Sequence, residues 1–306
     1  MTNNQETLER ILNTNGTRIN EDVPIFRCKI GDKRFQGILK LLNYRQQNIL
    51  EIEKQNSMNL VEELVGNSSL TENEKNNGKY LVTRMMKIIE LGYDIDYSNQ
   101  IKKQLAEFQS TNSSFYGIPI QIADSHMHTY SPIIKILTNY QEPITIVRFD
   151  THEDCYKEAS KETNNANYLS QILFDDALKG RIKRVITTSG INEEETSTIN
   201  GITHSLIYIL NLPEIKEPSI LDIDLDGHEN WKGDCRLGGH CLARPSLSLI
   251  KYDNEGEILV HPKVVVKILK YRVKKPEQVL VALERAYRNR LFWSKVELDF
   301  FEELAI

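Results

Sequence analysis

The sequence lacks several features that would place it in a common class of protein. No run approaches the roughly 20 apolar residues that a membrane-spanning helix needs. Methionine is followed by Thr-Asn-Asn-Gln-Glu-Thr and not by a basic and then apolar secretory start. The four cysteines are scattered without a Cys-x-x-Cys pair, which argues against a disulfide framework. We therefore expect a cytoplasmic protein with reduced thiols and no membrane partner.

An excess of positive charge is also absent. The formal net charge is −5 over 306 residues, so nothing in the composition favours a nucleic acid or an anionic membrane as a partner. No internal repeat is visible. The length suffices for one sizeable core with at most a small accessory lobe.

Short apolar runs in the second part of the chain predict an α/β fold. Their apolarity is continuous rather than alternating and rich in β-branched residues, which favours strands buried on both faces of a parallel sheet. The runs cover residues 118–122, 144–149, 184–187, 220–225 and 246–252. Segments 132–140 and 276–290 are predicted to be crossover helices. We expect a three-layer architecture with a mostly parallel sheet and with functional groups at the carboxyl ends of the strands.

The first third of the chain has a different pattern. Residues 26–35 are predicted to form a short hairpin that turns at Gly31-Asp32. Leu81, Met85 and Ile88 recur at helical spacing. We divide the chain into a mostly helical N-terminal segment, residues 1–112, and an α/β core, residues 113–306. The N-terminal segment can belong to the same domain as the core.

Three motifs rich in aspartate and histidine follow apolar runs. They read Asp124-Ser-His126-Met-His128, Asp150-Thr-His152-Glu-Asp154 and Asp222-Ile-Asp224-Leu-Asp226. Alternate side chains of an extended chain leave on the same face. Neighbouring buried carboxylates repel one another unless cations offset their charge. A single motif of this kind is commonly a loop cap, but three of them predict a metal site, and carboxylates with some imidazole suit manganese.

The charge balance favours two divalent ions. With Asp150, Asp154, Asp224 and Asp226 as ligands, four negative charges meet four positive ones. A bridging hydroxide then leaves the cluster near neutral. One divalent ion would leave much of the negative charge uncompensated.

The motifs resemble those of the arginase and deacetylase superfamily. Residues 150–154 are similar to the ureohydrolase Asp-Ala-His-x-Asp motif, and residues 222–226 to its later Asp-x-Asp motif. His126 falls where the histidine of a Gly-Gly-Asp-His motif would stand. Within the superfamily the chain resembles the arginase-like family that includes the peptide arginases, which convert arginine side chains of ribosomally made precursor peptides to ornithine. The resemblance covers residues 117 to about 230 and implies an arginase-like core.

The resemblance implies a site with two Mn²⁺ ions. One ion would be held by His126, Asp150, Asp154 and Asp224, and the other by Asp150, His152, Asp224 and Asp226. Asp222 would then orient a ligand from beside the site. Two alternatives stay open, since His128 can replace His126 and the last motif can contribute Asp222 with Asp224.

The implied reaction is hydrolysis of a guanidinium group to an amine and urea by a metal-activated water. It needs a proton donor and a carboxylate that binds the guanidinium, and the candidate catalytic residues are His128, His228 and Glu229. No His-His pair occurs, which argues against deacetylation. The segment after Asp154 lacks the Asn-x-Pro pattern of the region with which ordinary arginases bind the free amino acid, and this leaves room for a peptide.

We therefore predict a manganese-dependent peptide arginase that acts on an arginine-containing precursor peptide. The alternatives are a hydrolase of another small guanidino or amide substrate and a non-catalytic protein that binds metal or peptide on the same scaffold. A homo-oligomer is compatible with the sequence.

Overall fold

The computed structural model describes residues 26–76, 79, 115–150, 152, 154–155, 163, 167–189, 194–225, 262–283 and 290–306. Within these residues the strands are β1 (Phe26–Lys29), β2 (Pro119–Ala123), β3 (Ile144–Phe149), β4 (Ile182–Ser189), β5 (Glu195–Ile199), β6 (Ile202–Tyr208), β7 (Ser219–Asp224) and β8 (Gln278–Ala282). They form one eight-stranded sheet in the order β1-β2-β8-β7-β3-β4-β6-β5. The six inner strands are parallel, and β1 and β5 are antiparallel to their neighbours.

Helices cover both faces of this sheet. They are α1 (Lys33–Gly66), α2 (Tyr130–Asn139), α3 (Tyr168–Leu173), α4 (Pro262–Arg272) and α5 (Arg290–Ala305). Side chains of α1, α4 and α5 share a core with Val147 and Phe149 of β3, whereas α2 and α3 pack with Ile144 and Ile146 of the same strand. Successive residues of a strand point to opposite faces, so β3 contributes to both layers. The predicted three-layer α/β class with a mostly parallel sheet is confirmed.

The hairpin predicted for residues 26–35 is wrong. Asp32 accepts hydrogen bonds from the backbone N of Phe35 at 2.9 Å and of Lys29 at 3.0 Å, and thereby caps the start of α1. The residues after the turn are therefore helical, and β1 pairs instead with β2, with Phe26 opposite Ile122.

The N-terminal segment contributes to the same sheet and core as the rest of the chain. Besides the β1 strand at the sheet edge, it supplies Phe35, Ile38 and Leu42 of α1, which are buried in the core that α4 and α5 share. Arg45 of α1 also lies 3.8 Å from the buried carboxylate of Glu297 in α5.

The helix predicted for residues 276–290 is also wrong over its first part. Residues 278–282 form β8, which lies between β2 and β7 near the middle of the sheet. Val279 and Val281 face one core and Leu280 faces the other. A short apolar run is equally compatible with a buried strand and a buried helix. Here the run forms a strand because it pairs with β2 on one side and β7 on the other.

The other predicted elements agree with the structure where it describes them. The run at 144–149 coincides with β3, and the runs at 118–122, 184–187 and 220–225 lie within two residues of β2, β4 and β7. Helix α2 corresponds to the predicted helix 132–140. The strand predicted at 246–252 and the helical spacing at 81–89 lie outside the described residues. In the described part of the chain, no helix is both long and apolar enough to cross a membrane.

Candidate metal centre

Four aspartates lie together at the carboxyl ends of β3 and β7 and are almost wholly buried. They are Asp150, Asp154, Asp222 and Asp224, here called the acidic cluster. His126 and Arg148, both also buried, lie among them. Carboxylates without counter-charge are very costly to remove from water, so the acidic cluster requires compensation by cations or protons.

The parallel strands bring these residues to one edge of the sheet. In the register of β3 and β7, Arg148 is opposite Asp222, so both side chains lie on the face that α2 and α3 cover. Asp224 follows on the same face because it is two residues further along β7. His126 begins the 3-10 helix His126–Thr129, which follows the end of β2 after a gap of two residues, and its carbonyl oxygen accepts a 2.9 Å hydrogen bond from the Thr129 hydroxyl.

One ring nitrogen of His126 faces three carboxylates. Nδ1 lies 3.0 Å from Oδ2 of Asp224, 3.3 Å from Oδ2 of Asp150 and 3.5 Å from Oδ2 of Asp154. A lone pair on Nδ1 would repel these oxygens, so the arrangement needs either a proton or a metal ion at that nitrogen.

The other ring nitrogen of His126 is held by two partners. Nε2 lies 2.9 Å from the hydroxyl of Tyr168 and 3.1 Å from Oδ2 of Asp222. The Tyr168 hydroxyl itself donates to the same Asp222 oxygen at 2.6 Å. Because Asp222 can only accept, the hydrogen belongs on Nε2, which leaves Nδ1 as the nitrogen available to a ligand.

In the absence of a metal ion, His126 and Asp154 bind protons more tightly than usual. Burial lowers the pKa of His126, but the oxygens of Tyr168, Asp222 and Asp224 outweigh burial and raise this pKa well above its ordinary value. Burial and the charge of Asp150 likewise raise the pKa of Asp154 well above the usual range. These raised pKa values indicate that the positive charge of Arg148 alone does not balance the acidic cluster.

Two members of the cluster stay ionised, Asp222 and Asp150. Burial raises the pKa of Asp222, but the charge of His126 outweighs burial and lowers this pKa. Burial also raises the pKa of Asp150, but the charge of Arg148 and hydrogen bonds with His126 and His152 outweigh burial and hold the pKa well below the usual range. The two oxygens of Asp150 face different neighbours. Oδ2 faces His126, whereas Oδ1 accepts the backbone N of His152 at 2.7 Å and lies 3.4 Å from Nδ1 of that residue.

Arg148 and Tyr168 belong to this centre although the sequence analysis did not select them. Arg148 donates from Nη2 to Oδ2 of Asp150 and of Asp154, from Nε to the Tyr168 hydroxyl at 2.7 Å, and from Nη1 to the Thr187 hydroxyl at 3.3 Å. An arginine within an otherwise apolar, fully buried strand is itself a signal, because such a group needs buried anionic partners. No comparable signal distinguishes Tyr168 from the other tyrosines.

The remaining predicted site residues are placed as follows. The His152 side chain is 40% exposed and lies at the rim of the cluster. His128 is half-buried in the 3-10 helix after β2, and its backbone N bonds the carbonyl of Ser125 at 3.1 Å. Asp226, His228 and Glu229 lie outside the described residues, so the choice between Asp222 and Asp226 stays open.

The described donor atoms fit a divalent cation. Atoms of His126, Asp150 and Asp154 lie within 4.8 Å of one another, and Oδ2 of Asp224 lies 3.0 Å from Nδ1 of His126. Neighbouring ligands of an octahedral ion at about 2.1 Å are roughly 3 Å apart, close to the spacing of these donors around Nδ1. In addition, Oδ1 of Asp222 is buried with no hydrogen-bond partner among the described residues. A set of carboxylates with one imidazole suits manganese better than it suits a thiolate-preferring metal.

Comparisons with known proteins add little to this geometry. No protein-family model and no curated protein matches the chain. Among solved structures, the chain is similar to a hypothetical agmatinase from Burkholderia thailandensis, with 15% sequence identity and a TM-score of 0.36. The match covers 61% of this chain and 58% of that chain, so less than two thirds of that structure is matched. A similarity of this size does not determine the activity, which has to be inferred from the site.

Proposed function

We propose that this chain is a manganese-dependent hydrolase of guanidino groups whose substrate is an arginine side chain in a precursor peptide, converted to ornithine and urea. The observation that carries the proposal is Nδ1 of His126, which faces three carboxylate oxygens at 3.0–3.5 Å in a buried pocket of negative charge. Ureohydrolase-like motifs in the sequence supply the reaction type.

Two ions are proposed on the basis of charge and placement. The first would be held by His126, Asp150, Asp154 and Asp224, and the second by Asp150, His152, Asp224 and Asp226. The two oxygens of Asp150 support a bridging role, since one faces His126 and the other faces His152. Asp222 is bonded by His126 and Tyr168 within the protein, which leaves four proposed ligand carboxylates for two divalent ions.

The residues around the proposed ligands prepare the site for this chemistry. Bound ions would supply a water acidic enough to act as a nucleophile near neutral pH. Asp222 and the Tyr168 hydroxyl keep the hydrogen of His126 on Nε2 and so direct Nδ1 toward the ligand carboxylates. His152, a proposed ligand of the second ion, lies at the exposed rim beside Asp150.

The proton donor and the guanidinium-binding carboxylate are proposed from the sequence. His128 and His228 are the candidates for proton transfer, and Glu229 is the candidate for binding the guanidinium group. A peptide substrate is proposed because the segment after Asp154 lacks the pattern with which ordinary arginases bind a free amino acid.

Urea release tests the proposal. Protein stripped with a chelator and reloaded with Mn²⁺ is incubated with an arginine-containing peptide, free arginine or agmatine, and released urea is measured. The mass of the peptide is also determined by mass spectrometry. Urea from the peptide alone, with conversion of its arginine to ornithine, supports the proposal. Urea from free arginine or agmatine indicates a small-molecule hydrolase instead. Metal binding without urea from any substrate indicates a binding protein.

Paired variants connect the activity to the acidic cluster. Asp224→Asn removes one proposed ligand charge and should abolish urea release. Asp175→Asn makes the same chemical change at a residue that caps a surface 3-10 helix through a 2.9 Å bond from the backbone N of Ala177, and it should leave the activity unchanged. Equal activity of the two variants would contradict the assignment of Asp224.

A further inference from the structure

Arg148 is held firmly inside the candidate metal centre. Its side chain is fully buried in β3, between β7 and β4. Nε donates to Tyr168, and Nη1 donates to Thr187 and, at 3.4 Å, to the carbonyl oxygen of His152. These bonds fix the plane of the guanidinium group and direct Nη2 into the acidic cluster.

The oxygens that receive Nη2 are also the proposed metal donors. Oδ2 of Asp150 and Oδ2 of Asp154 each accept a hydrogen bond from Nη2 of Arg148. The same two atoms lie 3.3 and 3.5 Å from Nδ1 of His126. A cation placed between Nδ1 and these oxygens would therefore draw on lone pairs that Arg148 already uses, and it would also be repelled by the guanidinium charge at short range.

We propose that Arg148 competes with the divalent cation for Asp150 and Asp154 and thereby sets the metal affinity of the centre, an inference that rests on the metal dependence in the proposed function. Without metal, Arg148 holds the two carboxylates together. When metal binds, Nη2 releases both oxygens, while the bonds of Nε and Nη1 to Tyr168 and Thr187 keep the side chain in place. Arg148 thus substitutes for part of the metal charge and weakens metal binding.

Calorimetric titration with Mn²⁺ alone tests this competition. Chelator-stripped wild-type protein is compared with Arg148→Met, and circular dichroism checks that both are folded. Loss of the competing charge should tighten Mn²⁺ binding roughly tenfold or more. The control is Arg184→Met, which removes an arginine from the neighbouring strand β4 whose guanidinium pairs with Glu217 at 2.7 Å and takes no part in the acidic cluster. Its Mn²⁺ affinity should equal that of the wild type.

The outcomes separate this inference from the proposed function. Equal or weaker Mn²⁺ binding by a folded Arg148→Met variant overturns the competition and leaves the metal-dependent hydrolase intact. Mn²⁺ binding by the variant but not by the wild type supports the competition and contradicts the proposal that the natural chain depends on metal. Absence of binding in both proteins overturns both proposals.

A measurement on the wild-type protein covers the case in which Arg148→Met does not fold. The guanidinium hydrogens of Arg148 can be followed by ¹⁵N nuclear magnetic resonance and assigned by their absence from Arg148→Lys. Two carboxylate acceptors slow the exchange of the Nη2 hydrogens with solvent. Addition of Mg²⁺, a diamagnetic probe, should accelerate this exchange if metal displaces Arg148. Unchanged exchange at saturating Mg²⁺, with binding shown by calorimetry, overturns the proposal.

Discussion

Replacement of Tyr168 by phenylalanine tests whether the buried charges depend on a single hydroxyl. The Tyr168 side chain is fully buried, and its ring packs 4.5 Å from the centre of the His126 ring. Phenylalanine keeps this packing and removes only the oxygen. That oxygen lies 2.7 Å from Nε of Arg148, 2.9 Å from Nε2 of His126 and 2.6 Å from Oδ2 of Asp222.

The expected loss of stability follows from the partners left behind. Nε of Arg148 loses its hydrogen-bond acceptor, and a buried group without a partner costs about 1–3 kcal/mol, more when it is charged. Oδ2 of Asp222 loses one donor but keeps Nε2 of His126 at 3.1 Å, so its penalty is only partial. We expect a decrease of about 3 kcal/mol in the free energy of unfolding.

Urea denaturation in the presence of a chelator measures this decrease, and Tyr140→Phe provides the matched control. The Tyr140 hydroxyl also donates to a carboxylate, Oε1 of Glu277 at 2.9 Å, but this pair is exposed to solvent. Its loss should cost less than about 1 kcal/mol, because water replaces the partner. Equal, small losses in the two variants would refute the view that the Tyr168 hydroxyl is needed to compensate the buried charges.

Three other perturbations test separate parts of the structure. Burial and the charge of Arg148 lower the pKa of His204 to about 4, so its contribution to stability is complete above the unfolded pKa of 6.5 and is lost as pH falls toward 4. This loss amounts to up to about 3 kcal/mol of unfolding free energy between pH 6.5 and about pH 4. His204→Gln should remove this pH dependence, and an unchanged dependence would contradict the assignment. Asp32→Ala should cost about 1 kcal/mol in chemical denaturation through loss of the α1 cap, whereas Asp32→Asn should cost much less. Mn²⁺ should raise the melting temperature by a larger amount as pH rises, because protons on His126 and Asp154 compete with metal, and a pH-independent increase would contradict this.

The parts of the fold that the sequence predicts are those where local pattern and burial agree. Strand β3 is rich in β-branched residues, is buried throughout and is followed by a polar motif, so both its type and its boundaries are visible in the sequence. The errors occur where a distant partner decides. Residues 278–282 become a strand because β2 and β7 lie on either side of them. The distant strand β2 replaces residues 33–35 as the partner of β1, and the adjacent Asp32, a local signal that the hairpin prediction overlooked, caps these residues as the start of α1.

One missed element did have a local signal. Strands β5 and β6 form a hairpin that turns at Asn200-Gly201, where both residues have positive φ angles of 49° and 80°. Asn-Gly between two runs with strand propensity is the strongest short-range indication of such a turn. The polar, exposed character of β5 conceals the strand from an analysis based on apolar runs.

For the candidate site, the sequence identifies the acidic residues but not how their charges are balanced. Motif spacing selects Asp150, Asp154 and Asp224, and the structure places them together around His126. Arg148 contacts Asp150 and Asp154 of its own segment. Its position beside Asp222 and Tyr168, however, depends on the register of β3 against β7 and on the position of α3. A charge balance made from the motifs alone therefore omits the guanidinium group.

The ring of His126 divides the centre into two parts that are compensated in different ways. On the Nε2 side, Asp222 is bonded by His126 and Tyr168, and Nε of Arg148 lies 3.8 Å away, so protein groups alone offset its charge. On the Nδ1 side, three carboxylate oxygens share one nitrogen and one guanidinium nitrogen, which is too little positive charge without added protons or metal. Changes on the first side should therefore act mainly on the stability of the fold, and changes on the second side mainly on metal affinity. Arg148 is the exception because it contacts both sides. Its replacement should therefore change both the stability of the fold and the affinity for metal.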